Sequence, residues 1–191
     1  IAASSPAHLQ EKLTLKQWVI LILVGFAFLL PGINTLPVTD RDEARYAQAS
    51  KQMNETGDYV DIRFQEQTRY VKPVGTYWLQ SQTAKFIAFL TNEKEAKIWA
   101  YRIPSFLAGL TAILITAWIG TIMAGSTVGF YSSLIMASIL IVSIESRIAK
   151  TDALLLAATA IAQSGLFLIW RAKESMKQKF IGAPLLFWAG T

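Results

Sequence analysis

The chain has 191 residues, 53% of them apolar and 16% charged, and its mean hydropathy of +0.37 gives it more apolar surface than a soluble domain of this length needs for a core. It lacks cysteine, which excludes a disulfide framework and a thiolate metal site. The net charge of +5 comes from cations scattered among acids or set at the ends of apolar blocks. No basic face interleaved with aromatics results, so nucleic acid is not an expected partner.

Four apolar blocks follow a polar leader, residues 1–16, whose single histidine, His8, is read as a solvated side chain. The first block, residues 18–33, carries no charge and is long enough for a helix at about 1.5 Å per residue to cross most of a hydrocarbon core of roughly 30 Å. No small-x-small cleavage site follows Leu30, so this block is read as a retained anchor. Further spans are expected at residues 103–124, 128–144 and 153–170, each uncharged along its middle. Only helices suit them, because lipid leaves no partner for open backbone and no alternating barrel pattern is present. Lys12 and Lys16 precede the first span, and the joint at residues 171–179 holds four cations against one acid. The positive-inside rule therefore places both in the cytoplasm. Counting crossings then puts the loop at residues 34–100 and the joint at 145–152 on the far side. The chain opens at Ile1 and closes in an apolar run at residues 180–191, expected to begin a fifth span, so a fragment is expected.

Inside the long loop, Thr39 or Asp40 can cap a helix over residues 41–56, with Asp40-x-x-Glu43 resembling a capping box and Gly57 suited to the stop. Tyr46, Ala49 or Ser50, and Met53 share one stripe, so this helix is expected to lie on the membrane or on the spans. Residues 58–64 alternate as an extended segment. Pro73 is placed to start a second helix over residues 74–90, too polar at Gln80, Gln82, Thr83 and Lys85 to face lipid all round. It is read as an interfacial helix or a span packed inside the bundle.

Every residue suited to chemistry falls on the far side. Asp42 and Glu43 open the loop helix and Asp152 opens the last span. Acids at a helix N-terminus also gain about 0.3–1 kcal/mol from the helix dipole, so capping remains a reading of all three beside catalysis. Arg45, Arg69 and Lys72 share the loop, and Arg147 and Lys150 stand beside Asp152. Such cations can hold a phosphate while an acid stays available as a base; they can also simply snorkel at the interface.

Three strings, Asp40-Arg41-Asp42-Glu43-Ala44-Arg45-Tyr46-Ala47 with Gly57-Asp58-Tyr59, Tyr70-Val71-Lys72-Pro73-Val74-Gly75-Thr76-Tyr77-Trp78, and Arg147-Ile148-Ala149-Lys150-Thr151-Asp152-Ala153, occur in order on the same expected side. Together they resemble the first extracytoplasmic loop and a later joint of the lipid A aminoarabinose transferases, members of the protein O-mannosyltransferase superfamily. The resemblance implies an all-α integral membrane bundle of the GT-C type, with amphipathic helices in the first loop, seated in a bacterial inner membrane with the loop in the periplasm. It implies inverting transfer of a sugar from a polyprenyl-phosphate donor to a glycolipid or protein acceptor among the membrane lipids. By the same resemblance Asp42, Glu43 and Asp152 are the catalytic acids, and Lys72 contacts the carrier phosphate. Arg45, Tyr46, Arg69, Arg147 and Lys150 are read as further substrate-binding groups. No cofactor is assigned. A divalent metal is left open, because relatives often have Glu before the Lys-Pro pair where this chain has Val71. The alternatives are a transporter or flippase gated by Arg147, Lys150 and Asp152, and a non-catalytic assembly subunit.

Overall fold

The computed structural model describes residues 12–38, 40–174 and 182–190. His8, Thr39 and most of the basic joint lie outside the described residues. The first helix, α1 (Leu15–Leu29), starts at a full capping box in which the Thr14 side chain and the Gln17 backbone and side chain satisfy each other. It ends earlier than residue 33, and the chain turns through residues 31–36 before reaching α2 (Arg41–Thr56). The loop helix α2 has both expected bounds: the Asp40 side chain accepts from the Asp42 N–H, and Gly57 closes the helix at φ 73°. The capping box is only half formed. Glu43 does not turn back to the Asp40 N–H; it is drawn inward by partners described below.

The expected extended segment is reduced to a two-residue hairpin, β1 (Arg63–Phe64) with β2 (Gln67–Thr68), in which Arg63 faces Thr68. Ahead of it, Asp58 accepts from the backbone N–H groups of Val60 and Asp61 and makes a turn where a longer strand was expected. The second loop helix, α3 (Gly75–Thr91), packs against both α2 and α4 (Ile98–Ala124). Its buried face is polar as well as apolar. The Ser50 hydroxyl donates to Gln80 Oε1 at 3.0 Å, and Asn54 and Ser81 exchange bonds at 2.9 and 2.7 Å. These rungs fix the register of α2 on α3, and the stripe of Tyr46, Ala49, Ser50 and Met53 is buried there.

The long helix α4 begins at Ile98, before residue 103, and in its opening turns Ala100 and Tyr101 are buried against Ala84 and Ala149 while Arg102 is paired with Glu43. The third apolar block is broken: Ile139 leaves the helical region at ψ 119°, separating α5 (Ser126–Ser138) from α6 (Leu140–Glu145). The last long helix, α7 (Asp152–Glu174), is followed by α8 (Gly182–Ala189), which packs on it. Among the described residues two helical stretches, Ile98–Ala124 and Asp152–Arg171, are long and apolar enough to cross a membrane, while Leu15–Leu29 is apolar but shorter. The two long helices run side by side in the same direction. At one end Arg171 on α7 donates to the Ile122 carbonyl near the end of α4 at 2.6 Å; at the other, Ser105 on α4 donates to the Lys150 carbonyl just before α7 at 3.1 Å.

The hairpin of α4 and α5 is closely packed at Gly129. A Cβ on Gly129 would lie 2.5 Å from the Ala117 carbonyl oxygen and 2.6 Å from the Thr121 nitrogen, both backbone atoms that cannot step aside. Gly129→Ala is therefore expected to destabilise the full-length protein by about 1–3 kcal/mol through overpacking. Gly75→Ala, where nothing lies within 4 Å, should leave it unchanged. Thermal unfolding in detergent compares the two; equal melting temperatures would contradict the close approach.

Candidate functional site

One end of the bundle is tied together by a buried knot. Arg102, on the first turns of α4, and Glu43, on the first turn of α2, are both 0% exposed. Arg102 Nε and Nη2 donate to the two Glu43 oxygens at 2.7 and 3.1 Å. Its remaining donors reach the carbonyls of Ile33, Leu36 and Pro37 at 2.8, 2.9 and 3.3 Å. Glu43 Oε1 also accepts from the Ala149 N–H at 2.9 Å. A guanidinium offers five donors in a fixed fork; here it is spent on the turn after α1 and on Glu43 at the start of α2, and Glu43 in turn ties in the joint before α7. Glu43, expected as a catalytic acid, stands inside this frame with both oxygens engaged.

On the knot rests a charged cluster. The Lys150 ammonium lies 3.1 Å from Asp40, 3.4 Å from Asp152 and 3.8 Å from Glu145. The Asp42 backbone N–H, then the Lys150 ammonium, hold the Asp40 carboxyl below the usual carboxylate range. Partial burial works against the charge on Lys150, yet Asp40, Glu145 and Asp152 together raise its pKa. In the first turn of α2, Asp42 is half exposed and pairs with Arg45 at 3.2 Å, leaving much of its carboxyl open to solvent.

The cluster continues into an aromatic wall. Thr151, next to Lys150, donates to the Tyr46 hydroxyl at 2.7 Å. The Tyr46 and Tyr77 rings stack with centroids 5.1 Å apart, and the Arg69 guanidinium sits 5.7 Å over Tyr46 while donating to the Tyr77 hydroxyl at 3.2 Å. Burial pushes the Tyr46 hydroxyl above its ordinary pKa, so it serves as a neutral hydrogen-bonding group. The structure thus joins Asp152, Lys150, Tyr46 and Arg69, with Asp42 and Arg45 on the adjoining turn of α2.

Two predicted residues stand apart. Lys72 is exposed and makes no ion pair or hydrogen bond among the described residues, so its ammonium is available to a ligand. Arg147 turns to the end of α1, where its Nη2 donates to the Phe28 carbonyl and, at 2.6 Å, to Ser143 Oγ, which itself donates to the same carbonyl at 2.7 Å. A cation on the last carbonyls of a helix is a favourable cap, and Nη2 of Arg147 serves it, while its buried Nε has no hydrogen-bond partner. Sequence reasoning missed Arg102, Glu145 and Tyr77. A signal existed for Arg102, since an ionisable residue at the edge of an apolar span asks for a partner. Tyr77 had only its place in a quoted motif.

A family model described as Dolichyl-phosphate-mannose-protein mannosyltransferase matches residues 32–187. The chain is 31% identical over 176 residues to the undecaprenyl phosphate-alpha-4-amino-4-deoxy-L-arabinose arabinosyl transferase of Aeromonas hydrophila, covering 92% of this chain and 30% of that protein. The protein of the same name from Yersinia enterocolitica is 28% identical over 166 residues, covering 86% of this chain and 28% of its own length. The crystal structure of ArnT from Cupriavidus metallidurans bound to undecaprenyl phosphate superposes with a TM-score of 0.74 at 18% identity, covering 93% of this chain and 31% of that one. At that identity the likeness gives the fold, the GT-C integral membrane bundle that the motifs led us to expect. The chain spans about 30% of the length of these relatives. Because the family model runs through most of the described helices, from the turn after α1 into α8, the chain belongs to the dolichyl-phosphate-mannose-protein mannosyltransferase family.

Proposed function

We propose that the chain is the part of a membrane glycosyltransferase that binds the phosphate end of a polyprenyl-phosphate sugar and carries the acids for inverting transfer to a glycolipid or protein acceptor. The observation that carries this reading is the cluster around Lys150, in which Asp40 and Asp152 flank one ammonium with the half-exposed Asp42 and its partner Arg45 close by at the start of α2. Cations beside an open carboxylate are what the reaction asks for: charge grows on the departing phosphate while an acceptor proton is lost. The relatives are named for an undecaprenyl-phosphate-linked sugar, and one is solved with undecaprenyl phosphate, which supports the donor class. In this reading Asp42 takes the acceptor proton or steadies positive character on the sugar, and Asp152 keeps Lys150 in place. Lys72, Arg45 and Arg69 face the leaving phosphate, while Glu43 and Arg147 hold the frame. The cluster lies at the periplasmic face of a bacterial inner membrane, and Lys12, Lys16 and the basic joint lie in the cytoplasm, as the positive-inside rule asks.

Membranes containing the full-length protein, incubated with radiolabelled polyprenyl-phosphate sugars, test the proposal: label should move onto an acceptor. Label that crosses the bilayer without changing carrier would overturn it in favour of a transporter. Lys72→Ala is expected to raise the apparent donor KM by about tenfold or more, the loss of one hydrogen bond to a charged group at about 1.5–3 kcal/mol. An unchanged donor KM would remove Lys72 from the phosphate site.

A further inference from the structure

Three carboxyls surround the single ammonium of Lys150, and their environments differ. Asp40 accepts a backbone N–H at 2.8 Å and sits closest to the lysine. Asp152 is half exposed and stands in the first turn of α7, where the helix dipole favours an anion. Glu145 is the last residue of α6, where the dipole disfavours one. It lines a pocket of about 80 Å³ whose other walls are Ile141, Val142, Ser146, Asp152, Ala153 and Leu156. Its Oε2 is buried and accepts no hydrogen bond, and Lys150, at 3.8 Å, is beyond hydrogen-bonding distance of it.

Among the described residues, Arg147, two positions on, turns to the Phe28 carbonyl and Ser143 Oγ, and the packed helices bring Glu145 no relieving charge. The described part of α5 carries none, α1 has only Lys16 at its opposite end, and Arg102 of α4 is spent on Glu43. Lys150, Asp152 and Asp40 are the charged groups that face it. Three ionised carboxylates on one ammonium would leave two negative charges uncompensated in a partly buried site. Two neighbouring carboxyls escape this by sharing a proton.

We infer that Glu145 is a positioning residue of this site that works as an un-ionised carboxylic acid, donating a hydrogen bond to Asp152 and leaving Lys150 to Asp40 and Asp152. The inference rests on the proposed transferase reading for what the positioning serves. Burial, with Asp152 and Asp40 adding to it, raises the pKa of Glu145, in keeping with this role. The acid is neutral below that raised pKa. As pH climbs through it, a third negative charge appears, Lys150 is drawn from Asp40 and Asp152 toward Glu145, and transfer falls.

The test uses the full-length protein in lipid nanodiscs. Infrared difference spectra across a pH titration should show the carbonyl stretch of a protonated carboxylic acid that persists above the ordinary carboxylate range in the wild type, lost in Glu145→Gln and kept in Glu55→Gln. Glu145→Gln, which preserves the donor and cannot ionise, should transfer sugar within about threefold of wild type at neutral pH and lose the alkaline fall in rate. A wild type with no such band, a band that survives Glu145→Gln, a folded but inactive Glu145→Gln, or an unchanged alkaline limb would each overturn the inference. A Glu145-dependent band in a protein that transfers no sugar from any polyprenyl-phosphate donor would instead leave the proton where we place it and refute the transferase reading.

Discussion

Asp42→Asn in the full-length protein is expected to lower sugar transfer by about 10²–10⁴-fold, the range contributed by a positioned general base, while leaving the fold intact. The fold should survive because the acid of this pair that the structure depends on is Glu43, 0% exposed. Asp42 offers α2 a backbone N–H to Asp40, which asparagine retains, and a side chain whose ion-pair partner is the half-buried Arg45. The carboxylate is thus open on one side to an incoming hydroxyl. If it removes the acceptor proton, the loss falls on kcat and leaves the donor KM unchanged. If the acceptor is itself a phosphate, little deprotonation is needed, and the loss moves to the acceptor KM. Turnover of label from a polyprenyl-phosphate sugar, measured beside the melting temperature, separates these outcomes. Near-normal turnover would remove Asp42 from the mechanism.

The parts of this molecule legible in the sequence are those governed by short-range rules. Asp40 and Gly57 bound α2 to the residue because a side-chain cap and a left-handed glycine act within one turn. Pro73 placed α3 within a residue of its start, and uncharged length found the bodies of α4 and α7. What escaped depends on partners far along the chain. The capping box at Glu43 failed because Arg102, 59 residues away in sequence, offers its carboxylate a bidentate bond in a dry site, which a neutral backbone N–H at a helix end does not match. Arg147 read as a ligand for phosphate because the sequence does not show that the last carbonyls of α1 end beside it. The break at Ile139 lies in an apolar run without glycine or proline, so nothing local announced it. That break has a consequence for the site: it sets α6 apart from α5 and brings Glu145 to the Lys150 cluster.

Arg102→Met is expected to be the most damaging single change to the fold. Glu43 would be left charged, buried and without its guanidinium, a loss of about 3–5 kcal/mol when one partner of a buried pair is removed. The carbonyls of Ile33, Leu36 and Pro37 would lose their donor as well. Arg102→Lys should not rescue it, because a lysine has no planar fork with which to hold two carboxylate oxygens and three carbonyls at once. The pairing itself is tested by the double variant Glu43→Gln with Arg102→Met. There the stranded charge is gone, and the glutamine carbonyl can still accept from the Ala149 N–H that Glu43 holds at 2.9 Å. Thermal unfolding of the full-length protein in detergent should therefore place the double variant above Arg102→Met alone. It should still fall below wild type, since the freed carbonyls remain unmet. Melting temperatures that simply add across the two substitutions would show that the ion pair is not what couples α2 to α4. If coupling is found, the same cycle read through sugar transfer should show activity following the knot, because Asp42 and the Lys150 cluster take their relative positions from it.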